Sequence, residues 1–310
     1  MPFNNLISRA DADALIPEDV AGDAIAAATE ESAALQLFRR VSLGTKITSM
    51  PVLSALPVAY WVNGDTGLKQ TTEAAWAGIQ LTAEEIATIL PVPEAVLDDA
   101  GFDVWGELRP ALGEAVAALL DAAVFAGTNK PASWPAAVIP AAIAAGNIAE
   151  LGTSTPEQGG VVGDLESAFD AVEADGFDVT GVAAEKSLRG LLRKARDGSG
   201  QKLADVSSGS IEGVPIQYVM PGAFTATAKA VVGDFQLGVI GIRQDLSYKL
   251  LDQAVITDDT GAIVYNLPQQ DMVAMRVTAR FAYAVANPIT RAGAGGATQY
   301  PFAVMQDATP

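Results

Sequence analysis

The chain has 310 residues, half of them apolar, and 19 basic against 37 acidic side chains, for a formal charge of -18. That charge repels nucleic-acid phosphates, and the absence of cysteine and histidine removes disulfides, thiol chemistry, Ser-His-Asp catalysis and the usual zinc ligands. No uninterrupted run of about 18 apolar residues is present, so no membrane-spanning helix is expected, and the first twenty residues lack the basic-then-apolar layout of a secretion signal.

Residues 1–43 read as an arm. Pro17-Glu18-Asp19 starts a helical pattern with Val20, Ile25 and Ala28 on a weak apolar face, and a second helical patch covers 32–40 with Leu35 and Phe38. Such an arm buries little surface alone and needs a neighbour, in this chain or in another. Residues 47–97 read as extended. Val58, Tyr60 and Val62 alternate ahead of Asn63-Gly64-Asp65-Thr66-Gly67, a strong reversal signal. Ile79 and Leu81 lie on the return leg, then Ile86, Thr88 and Leu90, and Pro91 and Pro93 mark a sheet edge or a strand end. A long two-stranded hairpin is marginal alone in water, so this one is expected to pack against something the chain does not supply.

The organising stretch runs from Phe102 to Asn129. Trp105, Leu108, Leu112, Val116, Leu119 and Ala123 recur at steps of three and four, which places them on one face of a helix over 104–125. Glu107, Glu114 and Asp121 fall seven apart on a polar stripe. Asp103 is the expected N-cap and Gly127 the C-terminal stop, while Pro110 either kinks the helix or moves its start to about Arg109.

Residues 130–160, rich in Pro, Ala and Gly around Trp134, read as a crossing into a second domain. That domain holds a helix over 162–174 capped by Gly163-Asp164, a strand over 177–182 and a helix near 183–195. It continues with a turn at 197–200, a turn and strand over 210–219, and a buried strand over 230–235. Strand 246–256 is then expected to pair with 262–267 through Asp258-Asp259-Thr260-Gly261. The last strand is the clearest: Val273, Met275, Val277, Ala279, Phe281, Tyr283 and Val285 alternate with Ala274, Arg276, Thr278, Arg280, Ala282 and Ala284, and Pro288 ends it. Residues 292–297 form a Gly/Ala connection to the tail.

Catalytic motifs are weak. Asp65-Thr66-Gly67 and Asp259-Thr260-Gly261 echo the paired carboxylates of pepsin-like aspartic proteases, which share a proton and activate water. Each sits in a turn, however, and is followed by Leu68 or Ala262 where those enzymes have Ser or Thr, so turn formation is the better account. Gly293, Gly295 and Gly296 make no dinucleotide fingerprint, Gly127-Thr128-Asn129-Lys130 is no P-loop, and Asp170, Glu173, Asp175 and Asp178 lack EF-hand spacing. No catalytic residue, cofactor or metal is expected.

The order of elements (arm, long hairpin, strand, spine helix, α/β domain, return through long strands) resembles the major capsid proteins of tailed bacteriophages, the HK-ninety-seven-like shell fold shared with encapsulins. Leu97-Asp98-Asp99 leads into the spine helix and Phe125-Ala126-Gly127-Thr128 leaves it. Glu212-Gly213-Val214-Pro215-Ile216 and Gly233-Asp234-Phe235 resemble strand signatures of the family's axial domain, and Asp271 through Arg280 with Asn287-Pro288 resembles its last peripheral strand. The resemblance implies an α+β fold with an N-arm over 1–43 and an extended loop over 44–89. It implies a peripheral domain over 90–129 and 243–287, and an axial domain over 130–242 and 288–310.

It further implies a structural protein whose hexamers and pentamers close into an icosahedral shell around double-stranded DNA, without specific DNA binding, assembled in the host bacterial cytoplasm. Implied partners are a portal protein, a separate scaffolding protein (the arm is too short for an internal one) and an optional decoration protein, with no membrane. An encapsulin-type compartment is the alternative within the fold. Expected intersubunit contacts are Trp61, Asn63, Gly64, Asp65, Lys69 and Trp76 on the loop, with Arg276 and Arg280 on the last strand. In family members that cross-link themselves, a loop lysine attacks an asparagine and a glutamate seven residues further on serves as base. Here Lys69 is present, but the partner positions are Asp271 and Thr278, and Asn287 lies at the strand's other end, so a non-covalent shell is expected.

Overall fold

The computed structural model describes residues 32–57, 69, 71–72, 74–196, 200–201, 209–211, 213–292 and 299–308. The arm helix expected near 17–28, the tip 58–68, the turn at 197–199 and the connection 293–298 lie outside them. The described residues fall into two compact units, one within 85–116 and 244–280, the other within 31–84, 117–243 and 281–310.

The first unit holds most of strand β4 (Glu84–Pro93), helix α2 (Glu94–Asp99) and the opening turns of helix α3 (Val104–Phe125). Extended backbone was expected through 97. It stops at Pro93, whose fixed φ opens α2, and the Glu94 N–H donates to the Asp271 carbonyl at 2.8 Å. Val92 and Val96 are buried with Leu90, Leu97, Trp105 and Leu108 against them. Helix α3 has the expected bounds, and Pro110 sits inside it without moving its start. It stops at Gly127, whose φ of +79° no β-carbon obstructs, while the Thr128 N–H reaches back to the Ala122 carbonyl at 3.1 Å.

The returning strands differ from expectation. β10 (Gly238–Leu251) ends before Asp252, and a separate strand β11 (Val255–Thr257) pairs antiparallel with β12 (Ile263–Asn266). Leu267 draws the break closed by donating from its N–H to the Ala254 carbonyl at 3.1 Å, and it packs with Met272 and Ala274. Among the described residues β1 (Arg39–Ser42), β10, β13 (Met272–Val285) and β4 form a sheet in the order β1-β10-β13-β4, so proline-bearing β4 is an edge strand. The alternation expected along β13 holds only in its middle. Arg276 is exposed, but Ala274, Ala282 and Ala284 are buried with their apolar neighbours, because both faces of the strand's ends are covered.

The second unit centres on a sheet in the order β5-β14-β9-β6-β8-β7: β5 Ile148–Leu151, β14 Phe302–Asp307, β9 Ala228–Gly233, β6 Gly181–Ala184, β8 Val214–Tyr218 and β7 Ser210–Ile211. The tail strand β14 runs parallel to β5 and antiparallel to β9. Helix α5 (Val161–Ala174) and helix α6 (Lys186–Lys194) bury Leu165, Phe169, Val172, Leu188 and Leu192 in one core beneath them.

Three expectations are corrected here. The strand read at 177–182 and the helix read at 183–195 shift, because Val182 to Ala184 pair with β8 and β9 and only Lys186 onward is free to coil. The crossing at 130–160 contains helix α4 (Val138–Ala145) and β5, since Pro140 sits in the helix's first turn, where a missing N–H costs nothing. Asp164 does not cap α5. Its buried carboxylate accepts from the Gly152 N–H at 2.6 Å, the Ser154 N–H at 2.7 Å and the Thr153 hydroxyl at 3.0 Å, closing the loop after β5.

Helix α1 (Ala33–Leu37) is shorter than the patch expected over 32–40, because Arg39–Ser42 joins β10 as a parallel strand. Phe38 at that junction is the hub of an aromatic cluster, its ring centroid 5.1 Å from Phe235, 5.8 Å from Phe125, 5.9 Å from Phe302 and 6.2 Å from Tyr283.

Candidate assembly surfaces

The extended hairpin is the first such surface. β2 (Ile47–Ala55) and β3 (Ala75–Thr82) pair antiparallel from Ile47 opposite Thr82 to Ala55 opposite Ala75, with an irregularity after Leu53. The outgoing leg is therefore 47–55. The alternation at 58–62 and the expected contacts Trp61, Asn63, Gly64 and Asp65 lie outside the described residues. The base of the hairpin is anchored. Leu81 is buried with Leu43, Val239, Ala282 and Ala284, and Met50 and Ile79 pack beside them. Trp134, also buried, donates its indole N–H to the Thr82 carbonyl at 3.0 Å. Further out the ribbon loses cover: Trp76, opposite Leu53, is 69% exposed, and at the base Ile47, opposite Thr82, is 56% exposed. Lys69 is exposed as well. Leaving an indole in water forgoes roughly 2–3 kcal/mol of burial.

The chain returning from β13 holds the outgoing leg. The Ile289 N–H donates to the Leu53 carbonyl at 3.3 Å, and the Arg291 guanidinium to the Pro57 carbonyl at 2.9 Å. That return segment is itself latched by a polar knot. The Thr290 hydroxyl donates to the Asp175 carbonyl at 2.5 Å, and the Gln299 amide to the Thr290 oxygen at 2.7 Å. The Asn147 amide reaches the Asp175 carboxylate at 2.9 Å and the Tyr300 and Phe302 carbonyls at 3.1 and 3.2 Å. Residues 147, 175, 290 and 299 are too far apart in sequence for any local pattern to join them.

The spine helix carries a second anchor missed by periodicity. Asp121, expected on a polar stripe, is fully buried. It accepts from the Ser32 hydroxyl at 2.5 Å and from the Ala33 and Ala34 N–H groups at 3.0 and 3.1 Å, capping α1 from 87 to 89 residues away. Burial pushes its carboxyl above the ordinary carboxylate range, outweighing the bonds from Ser32, Ala34 and Ala33. Leu119, expected on the apolar face, is 38% exposed while Leu120 is buried, because the last turns of α3 are covered on the Leu120–Asp121 side.

The two arginines of the last strand behave differently. Arg280 donates from Nε and a terminal nitrogen to the Glu85 carboxylate at 2.8 and 2.5 Å, a half-exposed pair within the chain. Arg276 is exposed and has no ion pair among the described residues. No two members of the expected contact set bond to each other among the described residues. Of the positions that the resemblance brings up for cross-linking, Asp271 is exposed with φ +46°, and the Asn287 amide is engaged with the Gln299 carbonyl at 2.7 Å.

The second Asp-Thr-Gly is a turn. The Asp258 carboxylate accepts from the Thr260 N–H at 2.9 Å, the Thr260 hydroxyl at 2.7 Å and the Ala262 N–H at 2.9 Å, and chiefly the Thr260 hydroxyl holds it below the usual carboxylate range. Asp259 beside it is exposed. Among the described residues no cluster of three acidic ligands has metal-binding geometry, and no helix is long and apolar enough to cross a membrane.

Comparison with known proteins agrees over most of the chain. A match to the Phage capsid family spans residues 12–290. The curated major capsid protein of Staphylococcus phage 80alpha is 28% identical over 236 residues, covering 74% of this chain and 69% of that one. Among solved structures, a chain from Microbacterium phage Oxtober96 is 39% identical with a TM-score of 0.82, covering 97% of this chain and 99% of its own. One from Mycobacterium phage Cain is 36% identical with a TM-score of 0.83, covering 98% and 99%.

Proposed function

The chain belongs to the phage capsid family as a structural component of the phage shell, and from that premise we propose that its copies join as hexamers and pentamers into an icosahedral shell around packaged double-stranded DNA. The observation that carries this reading is likeness along the whole chain, 97% of it at 39% identity, to a phage protein of the same fold. The family match gives no support to an encapsulin-type compartment, and the exposed turn at Asp259 none to a protease.

In this reading residues 1–43 are the N-arm, 44–89 the extended loop, 90–129 and 243–287 the peripheral domain, and 130–242 and 288–310 the axial domain. The formal charge of -18 suits a wall that encloses DNA without adhering to it. A portal, a separate scaffold and an optional decoration protein are the expected partners, with assembly in the bacterial cytoplasm.

The hairpin is the leading contact, with Trp61, Asn63, Gly64, Asp65, Lys69 and Trp76 meeting a neighbouring subunit. Support comes from the anchored base, the exposed Trp76 and Ile47, and the marginal stability of two-stranded ribbons. Arg276 is the better candidate of the two arginines, since Arg280 already has Glu85. Deleting residues 63–72 tests this. The variant should remain a folded, soluble subunit that forms no shells, and normal assembly by it would overturn the assignment.

A further inference from the structure

Helices α5 and α6 carry opposite charge rows on the outer side of one core. On α5, Glu166, Asp170 and Glu173 are exposed at steps of four and three, hence on one face. On α6, Arg189 and Arg193 are exposed four apart, and Lys186, three before Arg189, continues that row to the helix start; Arg196 lies just past the helix end. Residues 186–196 contain five of the chain's 19 basic side chains (Lys186, Arg189, Arg193, Lys194 and Arg196) and no acidic one. Like charges at such spacings weaken a helix. No ion pair relieves Glu166, Asp170, Glu173, Arg189 or Arg193 among the described residues; the Arg189 guanidinium instead lies 5.3 Å from the centroid of the Tyr218 ring.

The rows face different flanks. α5 packs on β5, β14 and β9, whereas α6 packs on β9 and reaches β8 through Arg189 and Tyr218. In the sheet β5 and β8 lie on opposite sides of β9. The acidic row therefore sits over one half of the sheet and the basic row over the other.

We propose that the α6 row of one copy docks on the α5 row of the next, an inference that rests on the assembly reading above. The two rows are complementary to each other and not to themselves. Such a contact is heterologous, and repeated from copy to copy it closes a ring when the rotation permits. It also answers an electrostatic problem. Copies of charge -18 repel at a distance, and a local pairing of opposite rows steers approach and fixes register. A basic helix can also hold phosphates, but the acidic row beside it on the same core would repel a nucleic acid lying across both.

The test uses the full chain in three forms: Arg189→Glu with Arg193→Glu, Glu166→Lys with Asp170→Lys, and all four together. Circular dichroism first establishes that each is folded. Shells and capsomers are then counted by sedimentation and electron microscopy. Each one-sided reversal should cut assembly at least about tenfold, the fourfold exchange should restore it, and a mixture of the two one-sided variants should recover hexamers, in which the two alternate and − meets + at each contact, but not pentamers, whose odd number of copies leaves one like-charged contact. The neutral Arg193→Gln serves if a reversal does not fold, and should weaken the salt dependence of assembly. A folded one-sided variant that assembles at the wild-type yield overturns the proposal, as does a folded fourfold exchange that does not assemble. A basic-row reversal that assembles normally but holds less DNA assigns α6 to nucleic acid and overturns it too. Failure of the unmodified chain to assemble would instead refute the assembly reading itself.

Discussion

Replacing Asp121 with alanine should destabilise the subunit by about 3 kcal/mol. The carboxylate accepts three hydrogen bonds at the start of α1. Ser32 keeps a role without it, since its oxygen still accepts from the Leu35 N–H at 3.2 Å. The N–H groups of Ala33 and Ala34, both buried, are left without an acceptor, at about 1–3 kcal/mol each. Relief from burying a carboxylate returns roughly 1–2 kcal/mol of this. Because burial raises the folded pKa of Asp121 above its unfolded value, its protonation stabilises the fold at low pH. That increment is complete below the unfolded value near about 3.9 and is lost as pH rises through the folded one. The penalty of the substitution should therefore be larger at acid pH than at neutral pH. Urea unfolding of unassembled subunits at two pH values measures both. A neutral-pH change under about 1 kcal/mol, or a penalty that shrinks in acid, would refute the reasoning.

Gly238→Ala should cost about 2–3 kcal/mol in the same assay, because a β-carbon there runs into the ring of Phe38 at the centre of the aromatic cluster; a change within 0.5 kcal/mol, on the order of ordinary surface substitutions, would contradict this. Trp134→Phe removes the bond to the Thr82 carbonyl and should cost about 1 kcal/mol while leaving the subunit folded. Burial raises the Asp164 carboxyl, but the bonds from Gly152, Ser154 and Thr153 prevail and hold it below its ordinary value. The advantage of the wild type over Asp164→Asn should therefore be present above about pH 4 and fade as pH falls further, and an advantage that grows in acid would contradict the assignment. Boiled shells should give one band near 31.9 kDa on a denaturing gel, since by the resemblance to self-cross-linking family members Asp271 and Thr278 fall at the positions that need a carboxamide and a base; a ladder of covalent multimers would mean that Lys69 finds another partner.

The parts legible in the sequence were those set by local period and punctuation. Helix α3 shows itself because 22 residues keep one rhythm and Gly127 ends it. The return leg of the hairpin at Ile79 and Leu81 shows in its alternation, and the turn at Asp258 follows from Gly and Asp chemistry. What failed was decided at long range. Nothing near Asp121 foretells Ser32, and heptad spacing alone assigned it to water. Gly181 to Ala184 is a short apolar run that reads equally as strand end or helix start, and only pairing with β8 and β9 decides. The tail strand beside β5, and the bonds that Thr290 and Gln299 make to the Asp175 carbonyl, join residues more than a hundred positions apart. The charge rows of α5 and α6 were visible as spacing, but their placement on two halves of one sheet needed the fold.

The central claim is that this chain makes shells from copies of itself, and imaging the purified full-length protein by negative-stain electron microscopy across a concentration series tests it most directly. The account predicts rings of capsomer size and closed shells, growing in number with concentration. A folded protein that stays monomeric at every concentration would contradict it.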